Sequence, residues 1–360
     1  MTHTVFILGA GASKDAGAPM MDNFIDVAER LRTRNQTGDV RGSFDLVFEG
    51  LAELREVHEK AAFNTYNLES VFGAFEMAKL LGRLGSLGID KINRLPNAMR
   101  DVIVQTIAET VEFPVVQDDR GHSAIRPPAP YPGLIDVIKN RLQAGSQGRD
   151  RFSFSIITFN YDVCLDFALY YSSLNIRYGL EDGENQDAIA LLKLHGSLLW
   201  GRCSGCNKVA AWPLSTTRNR FWPDLESRSS VKFPVTEWLK GFAHCAGGHM
   251  SQAYVVPPTW SKGQYHTELE SVWRNAAKEL QKAENIFVSG YSLPEADQFF
   301  KLLYALGTSG TTRLKKFWVF DPNPTVEMSF KTLIGESILH RFKFFKEPFS
   351  QMVGVVQSAL

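Results

Sequence analysis

Three short polar runs in this 360-residue chain combine residue types that can orient a hydroxyl, activate water and bind a metal. The first two are Thr158-Phe159-Asn160-Tyr161-Asp162 and Leu194-His195-Gly196-Ser197. A histidine near its solution pKa can take a proton from water or a hydroxyl at neutral pH, and an asparagine can fix that group without adding charge. The third is Cys203-Ser204-Gly205-Cys206, joined downstream by His244-Cys245-Ala246-Gly247-Gly248-His249. A Cys-x2-Cys knuckle with a Cys-x3-His suits tetrahedral zinc, giving Cys203, Cys206, Cys245 and His249 as expected ligands and His244 as the alternative fourth. Four protein ligands leave no open position, so this zinc is expected to be structural. Taken singly, each polar residue also has an ordinary explanation. Asn160 and Asp162 can cap a helix, His195 can be a satisfied structural histidine, and Ser289-Gly290 can be a turn.

These residues need a scaffold. The apolar strand Val5–Leu8 runs into Gly9-Ala10-Gly11-Ala12-Ser13, and a helix is expected over Met20–Leu31. A strand, a glycine turn and a helix can hold a pyrophosphate on free backbone N–H groups. The spacing is Gly-x-Gly-x-Ser, short of the full dinucleotide fingerprint, so a purely structural turn is the competing explanation. Further strands are expected at Phe154–Phe159, Ala190–Leu194, Ala253–Val256, Ile286–Val288 and Phe317–Phe320, with residues 338–346 as a candidate edge strand. Six strands alternating with helices predict an α/β chain with a Rossmann-like, doubly wound parallel sheet. The first two polar runs, and Val288-Ser289-Gly290-Tyr291-Ser292, then fall at carboxyl ends of strands, where such sheets bind ligands.

Residues 35–125 read differently. Phe44, Val47, Phe48, Leu51 and Leu54 recur at helical spacing, as do Leu68, Val71, Phe72 and Phe75, and no strand run is evident. This predicts a helical insertion whose aromatic stripe is core. Pro127, Pro128, Pro130 and Pro132 read as a linker closing it. The expected units are 1–34, 133–200 and 253–360 for the parallel-sheet domain, 35–132 for the helical insertion, and 201–252 for a small zinc-ribbon-like module.

Lys+Arg and Asp+Glu number 39 each, which argues against capture of nucleic acid or an acidic membrane by net charge. No apolar run approaches the roughly 18 residues of a spanning helix. Met1-Thr2-His3-Thr4 leads straight into the first strand, and the clustered cysteines suit a reducing compartment, so a cytoplasmic protein is expected.

The order of the runs resembles the sirtuin superfamily over residues 4–20 and 152–324. It comprises Gly-Ala-Gly-x-Ser, Thr-x-Asn-x-Asp, Leu-His-Gly-Ser, a cysteine knuckle eight residues after the histidine, and Ser-Gly-Tyr-Ser-Leu-Pro. The Asn-Tyr-Asp wording is similar to the bacterial sirtuin-like branch. The resemblance implies an NAD-consuming fold. Gly9, Ala10, Gly11, Ala12, Ser13 and Thr158 would belong to the NAD-binding set, with the glycine turn on the pyrophosphate and ribose. Asn160 would hold the nicotinamide ribose or the attacking water, Asp162 would sit near the carboxamide, and His195 would be the general base. Gly290 and Ser292 would contact the adenosine half, and Asp321 and Asn323 would lie beside the adenine ribose.

Two departures separate the chain from deacetylating sirtuins. Their Gly-Ile-Pro-x-Phe-Arg is replaced by Gly17-Ala18-Pro19-Met20-Met21-Asp22, and their peptide-pairing Phe-Gly-Glu segment by Tyr254-Val255-Val256-Pro257-Pro258-Thr259-Trp260. Consecutive prolines cannot donate ladder hydrogen bonds to a peptide. The expected activity is therefore NAD+ glycohydrolysis, which in the resembling branch serves antiphage defence. An NAD-dependent deacylase and a non-catalytic NAD or ADP-ribose-binding module are the alternatives. A constitutive NADase would harm its own cell, so the helical insertion is expected to contact a second copy, or a separate sensor or ATPase protein.

Overall fold

The structure is a computed structural model. It describes residues 2–360 except 57–62, 118–120, 148–150, 182–186, 215–221, 223, 236–238, 240–242, 246–247, 258–267, 295–296 and 311.

Seven strands form one parallel sheet: β1 (Thr2–Leu8), β4 (Phe152–Thr158), β5 (Ile176–Arg177), β6 (Ile189–Lys193), β12 (Asn285–Ser289), β13 (Lys316–Phe320) and β14 (Phe342–Phe345), numbered in chain order with the strands of two smaller sheets. They lie in the order β14-β13-β12-β1-β4-β6-β5. The central strand β1 is apolar over its second half, with Val5, Phe6, Ile7 and Leu8 wholly buried, as expected of a strand covered on both faces. The chain first extends the sheet from β1 through β4, then crosses back to place β12 on the other side of β1. Right-handed crossovers in opposite directions put helices on both faces, which is the doubly wound arrangement. Helix α5 (Tyr131–Gln147) precedes β4, and α7 (Glu270–Lys282) precedes β12.

The strand count differs from expectation in two ways. Ala253–Val256 lies at the end of β11 (Gly248–Val255), which pairs antiparallel with β7 (Gly196–Cys203) in a separate four-stranded sheet of order β10-β11-β7-β8. Its other members are β8 (Val209–Ala211) and β10 (Ala243–Cys245). The two-residue β5 was invisible as a periodic run, and 342–345 does supply the edge strand. Because β7 starts at Gly196, the sheet of the cysteine module begins before the expected boundary at 201.

The insertion contains α2 (Arg41–Glu56), α3 (Leu68–Leu81) and α4 (Ile89–Thr110), packed through Phe44, Leu51, Phe72, Phe75 and Leu95. It also holds strands that its helical period did not announce. β2 (Glu112–Gln117) pairs with β3 (Ser123–Ile125) and with β9 (Ser230–Lys232), more than a hundred residues away. The proline segment ends as a helix start, since Tyr131 opens α5 with Pro132 in its first turn, a position that needs no intrahelical N–H. Among the described residues, no helix is long and apolar enough to cross a membrane.

The first helix corrects a second expectation. Ala10–Ser13 forms a single 3-10 turn, and α1 runs Phe24–Thr33, so ten residues separate the glycine turn from the helix. Ser13 O accepts both Ala16 and Ala18 N–H, tightening the chain into turns before Pro19. Helix α1 therefore does not follow the glycine turn directly.

Candidate functional site

Five adjacent strand ends carry the predicted residues. Asp321 follows β13, Gly290 follows β12, Gly9 follows β1, Asn160 follows β4 and His195 follows β6. At the usual interstrand spacing that row spans about 19 Å. Thr158, the last residue of β4, ties it to β1: its Oγ1 donates to Leu8 O at 2.9 Å and accepts the Asn160 N–H at 3.1 Å.

The centre of the site is the Ser13 hydroxyl. It donates to Asp162 Oδ2 at 2.6 Å, accepts from Asn160 Nδ2 at 2.8 Å and meets the Tyr131 hydroxyl at 2.7 Å. With the Ser13 proton on Asp162, Tyr131 must be the donor. Burial, together with the nearby Asp162 charge, pushes the Tyr131 phenol well above its ordinary value and keeps it protonated for that role. Asn160 also gives its second amide hydrogen to Gly9 O at 2.8 Å. A carbonyl only accepts, so the amide orientation is dictated. Nδ2 is engaged within the protein, and Oδ1 is the atom left to accept from a ligand.

Asp162 is engaged within the protein through both carboxylate oxygens. Its Oδ1 accepts Cys164 N–H at 3.0 Å and its Oδ2 takes Ser13, so both oxygens brace the protein in this conformation. Beneath it, the fully buried Lys193 donates to Asp162 O at 2.5 Å and pairs with Asp166 at 2.7 Å. Lys193 lay inside an apolar strand run and carried no sequence signal.

The glycine turn also behaves differently from a phosphate cradle. Gly9 N–H donates to Ser289 O, Gly11 N–H to Gly290 O and Ala12 N–H to Gly9 O, so these three donors face protein carbonyls. Gly290 has φ 62°, and a Cβ there would lie 2.3 Å from Ala12 N; the turn after β12 locks into the turn after β1. Ala12 and Ser13 are buried, while Ser292 and Asn323 are exposed. Asn323 Oδ1 accepts Thr325 N–H, and the half-buried Asp321 accepts Asn323 N–H; burial raises the Asp321 carboxyl.

His195 sits in the turn between β6 and β7. Its backbone O accepts Val256 N–H at 2.7 Å. Gly196 makes that turn possible, with φ 82° and no room for a Cβ, which would lie 2.1 Å from Tyr254 O. The imidazole meets the Phe159 ring edge-on at 5.1 Å, and its Nε2 lies 3.4 Å from Asp297 Oδ1. Tyr291 stacks flat on Phe159 with centroids 4.0 Å apart. Asn160 and His195 are each 7% exposed, so the site is closed in this conformation. Among the described residues, cavities of about 410, 690 and 770 Å³ lie elsewhere. The first of these is lined by Asp15, Ala16, Gly17, Thr110 and Pro130. Tyr131 and Asp297 are the site residues that the motifs missed. Tyr131 was hidden in the proline run, and Asp297 lies seven residues beyond Gly290.

The cysteine cluster brings His244, the alternative fourth ligand, into the candidate metal site. Sulfurs of Cys203, Cys206 and Cys245 and a ring nitrogen of His244 all lie within 4.8 Å of one another. His249 is not in the cluster: it is exposed, and its backbone pairs with Ser204. The cause is an irregular register between Ala243 and Cys245 in the β10–β11 hairpin, which brings the successive residues His244 and Cys245 to one site. The donors fit zinc, and the backbone makes room for them, since a Cβ on Gly248 would lie 2.4 Å from Cys203 Sγ. Backbone N–H groups of Cys206 and Gly205 bring the Cys203 thiol down to about 6, towards the thiolate a metal needs. The length of strand β7 lies between His195 and Cys203, up to about 27 Å of extended chain, so a metal there would be structural.

No protein-family model matches the sequence, and no curated protein matches it. Among solved structures, a Sir2 homologue–NAD complex is similar at 13% identity and a TM-score of 0.40, over 99% of this chain and 88% of that one. A mutant Sir2 homologue with ADP-ribose is 12% identical with a TM-score of 0.37, over 99% and 90% of the two chains. A complex of Sir2 with a p53 peptide and NAD+ is 12% identical with a TM-score of 0.37, over 99% and 92%.

Proposed function

We propose that the chain is an NAD+ glycohydrolase, cleaving NAD+ to nicotinamide and ADP-ribose. The observation that carries this reading is Asn160: both amide hydrogens are held by Gly9 and Ser13, Oδ1 is left to accept, and His195 stands at the end of the neighbouring strand. The motif order resembling the sirtuin superfamily supplies the substrate class. In the reaction the C1′–N bond to nicotinamide breaks and its electron pair neutralises the pyridinium. Water bonds to C1′, and its proton passes to the His195 imidazole. Asn160 Oδ1 would hold the ribose hydroxyl or that water, an orienting role that depends on Ser13 and Tyr131. Asp162 acts as a brace, and zinc at Cys203, Cys206, His244 and Cys245 would stabilise the small module. Purified protein should release ADP-ribose from NAD+ without any peptide, and Asn160→Ala and His195→Ala should each lose at least about a hundredfold in rate. Acetyl-ADP-ribose formed only with an acetyl-lysine peptide would replace this reading with the deacylase. Binding without turnover would replace it with a binding module.

Control by assembly, in a cytoplasmic defence role, belongs to the same proposal. The closed site supports it, as does an apolar face on the helical insertion. Met77, Leu80 and Leu81 on α3 and Ile89 at the start of α4 are all more than half exposed. A second copy, or a sensor or ATPase protein, would cover that face. Sedimentation of the protein should show an oligomer that Leu80→Asp dissociates, and a fully active monomer would defeat the idea.

A further inference from the structure

Asp297 occupies the N-cap position of α8 (Gln298–Gly307) yet makes no side-chain cap bond. An aspartate there ordinarily accepts from the first N–H groups of its helix. This one turns into the site: Oδ2 accepts the Tyr291 hydroxyl at 3.0 Å, and Oδ1 lies 3.4 Å from His195 Nε2, with both partners of the pair under a tenth exposed. We infer that Asp297 is a positioning residue for His195, holding the imidazole as the Nε2–H tautomer so that Nδ1 carries the basic lone pair. The catalytic consequence rests on the hydrolase reading; the tautomer does not.

A neutral imidazole has one N–H and one lone pair, and the partner of one nitrogen decides the role of the other. A carboxylate facing Nε2 favours hydrogen at that atom and stabilises the imidazolium that forms when Nδ1 takes a proton. The remaining freedom of the ring is limited by its surroundings. Phe159 packs edge-on against it, Tyr161 lies on another side with centroids 6.4 Å apart, and the Gly196 turn holds its backbone. Phe159 is in turn stacked by Tyr291, whose hydroxyl is bonded to Asp297. One carboxylate therefore ties the ring and the aromatic layer beside it into a single unit.

Nitrogen-15 NMR of histidine-labelled protein tests the assignment directly, with His195 identified among the eight histidines by His195→Gln. The wild type should show His195 as the Nε2–H tautomer. Asp297→Asn should shift it towards Nδ1–H, because the asparagine amide can donate to Nε2, and Asp297→Glu should retain it. An Nδ1–H tautomer in the wild type overturns the proposal, and so does a His195 spectrum unchanged in a folded Asp297→Asn protein. In the NAD+ assay, Asp297→Asn should lower kcat about 10²–10⁴-fold with little change in KM, as expected when a base is held in the wrong tautomer. Part of that loss should return in Asp297→Glu, and wild-type kcat in Asp297→Asn overturns the proposal. The expected tautomers without turnover by any form sustain the Asp297 assignment and remove the hydrolase reading.

Discussion

The two ends of the parallel sheet each bury a histidine against a carboxylate, and they use the pair differently. At the amino end, His3 Nε2 lies 3.0 Å from Glu279 Oε2, and Ser155 Oγ donates to the same oxygen at 2.5 Å. Arg177 and Lys282 reach Oε1 at 3.1 and 3.3 Å. Burial pushes the Glu279 carboxyl up, but hydrogen bonds from His3 and Ser155 and the charges around it outweigh that and hold it well below the usual carboxylate range. All these residues sit within β1, β4, β5 and α7, so sheet register and helix packing set their geometry. At the carboxyl end, His195 lies in a turn and Asp297 at a helix cap, set by Gly196 and an aromatic layer. A pair built into regular elements holds the sheet together, whereas a pair carried on turns stands where a ligand of such a sheet would lie.

The largest expected contrast comes from removing one partner at the amino end. Glu279→Gln leaves Arg177 without its buried counter-charge and should lower unfolding free energy by about 3–5 kcal/mol in urea, with specific activity of the folded fraction unchanged. The same residue sets an acid limit. Its folded pKa is depressed, so its contribution is complete above the unfolded value near 4.5 and is lost as pH falls through the lower folded value. Urea midpoints between pH 6 and 3 should therefore fall more steeply in the wild type than in Glu279→Gln; parallel curves would break the comparison. A smaller stability effect is expected at the carboxyl end. Ser13→Ala strips a partner from Tyr131, Asn160 and Asp162, and should cost about 1–3 kcal/mol while also depressing NAD+ turnover. Normal turnover in that variant would mean that Asn160 needs no brace.

Much of the carboxyl edge was legible because its signals are local. Runs such as Phe154–Phe159 and Phe317–Phe320 announce buried strands by composition alone, and polar residues directly after them must emerge at the ligand edge. The zinc cluster was legible as a set but not to the last ligand, since a register irregularity between Ala243 and Cys245 chose His244 over His249. Ala253–Val256 misled because an apolar run does not say which sheet it joins; its partner β7 is antiparallel and outside the main sheet. The short β2 and β3 escaped because their pairing depends on Ser230–Lys232 far along the chain.

What the sequence determined by itself is the alternation of strands and helices, the helical insertion and the residue types at each strand end, all properties of neighbours along the chain. Only the tertiary structure decided what those residues touch. It turned the glycine N–H groups onto protein carbonyls, made Asp162 a brace, and brought Tyr131 onto Ser13 and Asp297 onto His195. These are contacts between separate crossings of the chain, governed by packing, burial and hydrogen-bond satisfaction, and no local periodicity encodes them.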